Sequence, residues 1–343
     1  MTFHQKIGSA FIAIGAVLLA SCSSSSHAAS PIPHPRLLQI AYTAIGASDA
    51  VGYGASVPCT TASPALVADP TCPEAGASGY VPDIVRDFLK YGFNASLQDL
   101  GISGAVIGPD IQAMGNMYDS FTGSNACQPR TPADRIPANF LQNELPNLNP
   151  RATFITIFAG GNDTNAIVNA LACGAGGATV QSQTAFITAQ VTAFGHDFAT
   201  LVGGAHQLAP SATIVVANIP NFANVPYAAN APAPVRQALQ AVSVAIDTDV
   251  INTVVANGVP VVDVQCNPAS YDPANFYTDG FHPNDTGYAL LAALFVQQAL
   301  SNSPAPPQSQ CSEQAISGAA RVPGTSELRQ PVPVGHPLNL PHY

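Results

Sequence analysis

The chain has 343 residues, of which 47% are apolar and 9% charged, with a net charge of -10. That is ample material for a core, in one large domain or two small ones. Lysine occurs only at Lys6 and Lys90 and there is no basic run, which argues against a nucleic-acid partner, because Lys and Arg neutralising phosphate dominate such affinity.

In chain order, the first segment reads as an export signal. Lys6 supplies a positive start, and Ile7 to Ala20 is an apolar run too short to span a bilayer comfortably. The run ends in Leu19-Ala20-Ser21-Cys22, which resembles the lipobox of bacterial lipoproteins. The resemblance implies cleavage before Cys22 and acylation of Cys22, so that residues 1–21 are a signal peptide and the mature protein is lipid-anchored in the bacterial envelope. The alternative is an ordinary secretory signal cut later, for example after Ala28-Ala29, giving a periplasmic or secreted protein. Residues 22–36 then form a lipidated start and flexible tether, rich in serine from Ser23 to Ser30.

Strand and helix patterns alternate after the tether. Leu37 to Ile45 predicts a strand. Val81 to Tyr91 carries Val81, Ile84, Val85, Phe88 and Leu89 at the spacing of one helix face. Ala95 to Leu100 predicts a short strand, Ala138 to Leu145 a helix, and Ala152 to Phe158 a strong strand. Val180 to Val202 predicts a helix and Ala212 to Ala217 a strand. Pro234 to Ala256 predicts a long helix, opened by proline and closed by Gly258. Val259 to Val264 predicts a strand, and Asn284 to Leu300 a last helix capped by Asn284 or Asp285. The alternation predicts an α/β layer fold around a parallel sheet of about five strands.

Two stretches break the alternation. Ala55 to Gly79 is a long loop holding Cys59 and Cys72, and predicts a rim or lid. Ser303 to Tyr343 is Pro-rich and predicts a mostly extended tail fastened at Cys311. Seven cysteines occur; setting aside Cys22 leaves six, an even number suited to disulfides in an oxidising compartment. Six cysteines allow 15 pairings; sequential pairing gives Cys59–Cys72, Cys127–Cys173 and Cys266–Cys311. There is no Cys-x-x-Cys or His-x-x-x-His, so no metal site or cofactor is expected.

The residues suited to chemistry lie at the predicted strand ends, where α/β sheets bind ligands. Asp279-Gly280-Phe281-His282-Pro283 sets a carboxylate three residues from an imidazole, an acid–base pair in which the acid orients the base. Ser48, in Gly46-Ala47-Ser48-Asp49, follows the first strand between small residues that permit a sharp turn. Gly101-Ile102-Ser103-Gly104 follows the second strand and lets a backbone N–H approach a substrate oxygen. Gly160-Gly161-Asn162-Asp163 ends the strongest strand, with Asn162 offering an amide donor and Asp163 placed to cap the next helix.

This set of four blocks resembles the SGNH hydrolases, or GDSL esterase/lipase family, over roughly Leu37 to Ser301. The resemblance implies a three-layer α/β/α sandwich of flavodoxin-like type around a five-stranded parallel sheet, occupying residues 37–302 ahead of the 303–343 tail. It implies that Ser48 is the nucleophile, His282 the base and Asp279 its orienting partner. The N–H groups of Ser48 and Gly104 and the side chain of Asn162 would form the oxyanion hole. The expected activity is hydrolysis of small-molecule or lipid carboxylic esters. Acetylated carbohydrate or thioester substrates, or a non-catalytic surface lipoprotein keeping the fold, are the alternatives. One departure stands out: the family's Gly-Asp-Ser-Leu is Gly-Ala-Ser-Asp here, with Ala47 in the place of the acidic residue.

Overall fold

The computed structural model describes residues 38–60, 68, 76–118, 127–316 and 328–334. The expected signal peptide, Cys22 and the tether lie outside these residues. The main elements are β1 (Leu38–Gly46), α1 (Tyr80–Lys90), β2 (Phe93–Asp99), α2 (Pro109–Met117), β3 (Phe154–Phe158), α3 (Gly161–Ala172), α4 (Val180–Leu208), β4 (Thr213–Ala217), α5 (Ala233–Ala245), β5 (Val261–Val262) and α6 (Asp285–Leu300).

The five strands form one parallel sheet in the order β2-β1-β3-β4-β5. The chain steps from β1 to β2 on one side, then crosses to β3 on the other. Strand order therefore reverses at β1, and such a switch point leaves a crevice at the carboxyl ends. Those ends are level, since Gly46 lies opposite Phe158, Phe158 opposite Ala217, and Ala217 opposite Val262.

Both faces of the inner strands are buried, which is why most of their residues are apolar; the edge strand β2, with Asn94, Ser96 and Gln98, is only partly covered. Ile45, Ile155, Ile157, Ile214, Val216 and Val261 enter one core, with Ile111 of α2, Ile167 of α3, Phe194 and Phe198 of α4 and Leu239 of α5. Tyr42, Ala44, Phe154, Val215, Ala217 and Val262 enter the other, with Ile84 and Phe88 of α1 and Leu291 and Phe295 of α6. The result is the expected three-layer α/β/α sandwich. Of the apolar face expected on α1, Leu89 is an exception and is 56% exposed.

Helices depart from the periodic pattern in several places; α4, for one, runs on through Gly203 and Gly204 to Leu208. The segment expected as a helix from Ala138 to Leu145 forms a single wide π-turn, Phe140–Glu144, and a tight turn, Leu145–Asn147. Pro146 cannot donate the bond that would continue an α-helix. The long helix expected to reach Ala256 is regular only to Ala245. It then widens over Ile246–Val250 and tightens over Ile251–Asn257 before Gly258, whose φ is 79°. The wide turn contains Asp247, buried and bonded to the Ile219 N–H and the Gln265 amide. Helix α2 had no sequence expectation, and α3 had none beyond Asp163 as its cap. Nearly every residue of α3 is buried, including Asp163, Thr164, Asn165 and Asn169, so it lacks the one-sided pattern of an amphipathic helix.

Disulfides Cys127–Cys173 and Cys266–Cys311 form as paired from the sequence. Cys59 is disulfide-bonded, and the Cys72 side of that expected pair lies outside the described residues. Cys311 fastens the start of the tail, and a second anchor lies further on. Leu328 and Val332 are buried in the core on the α4 side, and the Gln183 side chain bonds both the N–H and the C=O of Val332, at 2.8 and 3.2 Å.

Candidate active site

The site is built on the level carboxyl ends of the sheet. After Gly46 the chain turns at once: Ala47 C=O accepts the Ala50 N–H at 3.1 Å and Ser48 C=O accepts the Tyr53 N–H at 2.9 Å. Ser48 therefore sits at the start of a run of consecutive turns over residues 47–54. A Cβ on Gly46 would lie 3.0 Å from Ala50 Cβ, so the turn is too tight for a side chain there.

Ser48 Oγ lies 2.9 Å from His282 Nε2, and His282 Nδ1 lies 2.7 Å from Asp279 Oδ2. The two contacts run in line through the imidazole. With Nδ1–H donating to the carboxylate, Nε2 is left as the acceptor for the Ser48 hydroxyl. Asp279 Oδ1 accepts the N–H groups of Phe281 and His282 at 2.9 and 3.0 Å, which locks the carboxylate under the ring. Gly280 makes the loop possible: its φ is 70°, and a Cβ would lie 2.8 Å from the Tyr227 nitrogen.

Ser48 and His282 are almost fully covered, at 1% and 0% exposure. The Tyr53 and Phe281 rings lie 4.5 and 4.9 Å from the imidazole. Burial alone would raise the Asp279 carboxyl. The His282 ring bond and charge, with the two N–H bonds, outweigh it and hold the carboxyl below its ordinary value.

The second block is bonded to the first. Ile102 N–H donates to Gly46 C=O at 3.2 Å, and Gly101 packs so closely that a Cβ would fall 2.7 Å from Ala50 Cβ. Ala105 N–H returns to Ile102 C=O at 3.0 Å, closing a turn in which Gly104 has a φ of 80°. That left-handed position suits glycine. Asn162 is the second residue of α3, and its Nδ2 donates to Ala105 C=O at 2.9 Å, fixing the amide beside the same loop.

Asp163 does not cap α3, as the sequence suggested. Gly160 occupies the cap position, and Asp163 lies inside the first turn, buried, accepting the Ile107 N–H at 2.9 Å. Burial, opposed by that bond, pushes its carboxyl up to about 7. The helix starts earlier than expected because Gly160, with a φ of 114°, makes the reversal that a capping side chain would otherwise serve.

Three groups near the site carried no sequence signal. Tyr53 covers His282. Asp99, at the end of β2, is buried and accepts the Gly101 N–H at 3.0 Å; burial, against that single bond, raises it to about 8. Glu144 is fully buried and accepts the Gly46 N–H at 3.0 Å; burial pushes it well above its ordinary value. Asp99 and Glu144 are each a lone carboxyl in their stretch of sequence, with no short-range pattern to mark them.

An apolar cleft of about 80 Å³ runs over the ends of β3, β4 and β5 from Ala47, Ala105 and Asn162. Its walls include Phe158, Ile219, Phe222, Phe281 and Leu291. The Phe222 and Phe281 rings stack at 5.1 Å, and a Cβ on Gly161 would reach Phe222 at 3.3 Å, so the glycine keeps that part of the cleft open. Asp49 also borders the cleft; burial raises its carboxyl, with the His282 charge opposing and Asp279 reinforcing the shift. Among the described residues, no group of three or more His, Cys, Asp or Glu side chains converges as a metal site.

A family model described as GDSL-like lipase/acylhydrolase matches residues 44–290. Among curated protein sequences, none matches the chain. Solved structures similar to it include an extracellular lipase from Streptomyces rimosus, 15% identical over 77% of this chain and 100% of that one, with a TM-score of 0.47. A phospholipase A1 from Streptomyces albidoflavus is 16% identical over 76% and 99%, at 0.45. An acetylxylan esterase, Axe2, from Geobacillus stearothermophilus is 15% identical over 80% and 100%, at 0.43.

Proposed function

The chain belongs to the GDSL-like lipase/acylhydrolase family, and on that premise we propose that it is an exported serine esterase acting on carboxylic esters through an acyl-enzyme on Ser48. The observation that carries the reading is the unbroken Ser48–His282–Asp279 line, with contacts of 2.9 and 2.7 Å. His282 takes the Ser48 proton as Oγ attacks the ester carbonyl, and Asp279 stabilises the imidazolium that forms. The oxyanion is held by the N–H groups of Ser48 and Gly104 and by the Asn162 amide. His282 then protonates the leaving alcohol. Water, deprotonated by the same imidazole, releases the acid and restores Ser48.

The apolar cleft beside Asn162 receives the acyl chain, because burying methylene groups there gains about 0.8 kcal/mol each. Disulfides Cys127–Cys173 and Cys266–Cys311 support an oxidising compartment. In this reading the export signal ends at Ser21, and a lipid anchor on Cys22 holds the enzyme to the membrane.

The test is direct. A fluorophosphonate probe labels Ser48 in the wild-type protein, and Ser48→Ala loses both the label and hydrolysis of p-nitrophenyl esters, with unchanged circular dichroism. Retained turnover in Ser48→Ala would end the assignment. Absence of labelling in the wild type would favour a binding protein that keeps the fold.

A further inference from the structure

Ala47 removes an acidic side chain from the turn that carries Ser48, in comparison with the family pattern. The structure places another carboxyl against that turn. Glu144 Oε2 accepts the N–H of Gly46, two residues before Ser48, at 3.0 Å. Its other oxygen, Oε1, is buried and has no hydrogen-bond partner.

Glu144 reaches this point from the π-turn Phe140–Glu144, which is itself firmly held. Asn139, fully buried, accepts the Gln142 N–H at 3.0 Å and donates to Gln112 Oε1 at 2.8 Å. The N–H groups of Phe140 and Leu141 donate to Val106 and Ile107, and the Ile107 N–H donates in turn to Asp163 beside Asn162. One bonded chain thus joins the Asn162 block to the Ser48 block, and Glu144 is its last link.

Packing alone does not explain this carboxyl. Burying it with one unpartnered oxygen costs stability, whereas an apolar side chain of similar volume would pack there without that cost. What an apolar side chain cannot do is accept the Gly46 N–H.

Resting on the esterase reading, we propose that Glu144 is the positioning residue of the nucleophile turn, replacing from a neighbouring segment the carboxyl that the turn itself lacks at Ala47. It fixes Gly46, and through it the approach of Ser48 Oγ to His282 Nε2. A shift of about 1 Å in a reacting group can cost about 100-fold in rate.

The experiment compares Glu144→Gln, which keeps a carbonyl acceptor, with Glu144→Leu, which does not. Glu144→Leu is expected to lower kcat on a p-nitrophenyl ester about 100-fold with KM within about threefold. Glu144→Gln is expected to keep kcat within about threefold of wild type. The Gly46 amide proton resonance should stay close to its wild-type position in Glu144→Gln and move upfield in Glu144→Leu. Full turnover in a folded Glu144→Leu, a loss confined to KM, or an unmoved Gly46 resonance would overturn the assignment. Should Glu144→Leu not fold, a drop beyond about tenfold in Glu144→Gln would overturn it and full activity would support it. The amide resonance is read without substrate, so failure of the esterase reading, seen as no turnover in any form, is distinguishable from failure of this one.

Discussion

Two sets of carboxyls meet at the carboxyl end of the sheet, and they are held in opposite ways. Asp279 keeps part of its surface in solvent and receives the His282 ring and the N–H groups of Phe281 and His282. Asp99 and Glu144 lie buried on the β1–β2 side of the site, each with one backbone N–H bond and one unpartnered oxygen. The first arrangement favours the ionised form and the second the neutral one. The difference teaches that donor count and solvent decide which carboxyl can stabilise an imidazolium. Closeness to Ser48 does not: Glu144 bonds the Ser48 turn at Gly46, yet burial pushes its carboxyl well above the ordinary value, toward the neutral form.

The sharpest way to break this contrast is to neutralise the charged member. Asp279→Asn is expected to lower kcat by about 10⁴-fold with the fold retained, because an amide neither stabilises the imidazolium nor sets the ring tautomer. A loss below about tenfold would erase the distinction. Asn162→Ala comes next. It should lower kcat about 100- to 1000-fold while KM changes little, as expected for a donor that acts on the developing oxyanion. An effect confined to KM would assign Asn162 to ground-state binding.

The smallest effect on turnover is expected at the neutral member. Asp99→Asn keeps an oxygen for Gly101 N–H and removes only the ability to ionise, so kcat at neutral pH should stay within about threefold. Its effect lies in stability. The folded Asp99 pKa of about 8 lies above that of an unfolded Asp. The folded state therefore binds more protons between about pH 4 and 8, and stability is lost as pH rises through that window. Asp163, near 7, adds to the same trend. Asp99→Asn should flatten the fall in Tm between about pH 5 and 9, worth a few kcal/mol at the alkaline end. An unchanged slope would show that Asp99 is ionised in the folded protein. Asp279, with its lowered pKa, has the opposite sign: its contribution is present above the unfolded carboxylate range and is lost on acidification.

Much of the frame was legible in the chain. The strands at Leu38–Gly46, Phe154–Phe158 and Thr213–Ala217 carry β-branched and aromatic runs that only a two-sided burial explains, and their alternation with helices called for a parallel sheet. Asp279 and His282 could be paired because they lie three positions apart in one loop. Ser48 could be added only by resemblance, since it lies 234 positions from His282. α3 was invisible because it is buried on all sides and its Asn and Asp residues imitate loop composition. Asp163 was misplaced for the same reason: an acidic residue after two glycines reads as a cap when the helix start cannot be seen.

The sequence by itself determined the alternation of strands and helices and the loop that sets an acid three positions from an imidazole, both of which depend on local pattern or on spacing. Tertiary structure alone decided the surroundings of each carboxyl and the contacts of the Ser48 turn. Those depend on solvent exclusion and on donors from distant segments: Gly46 meets Glu144 across 98 residues, and Ile107 meets Asp163 across 56. Burial changes what a carboxyl is, and burial is a property of the packed chain.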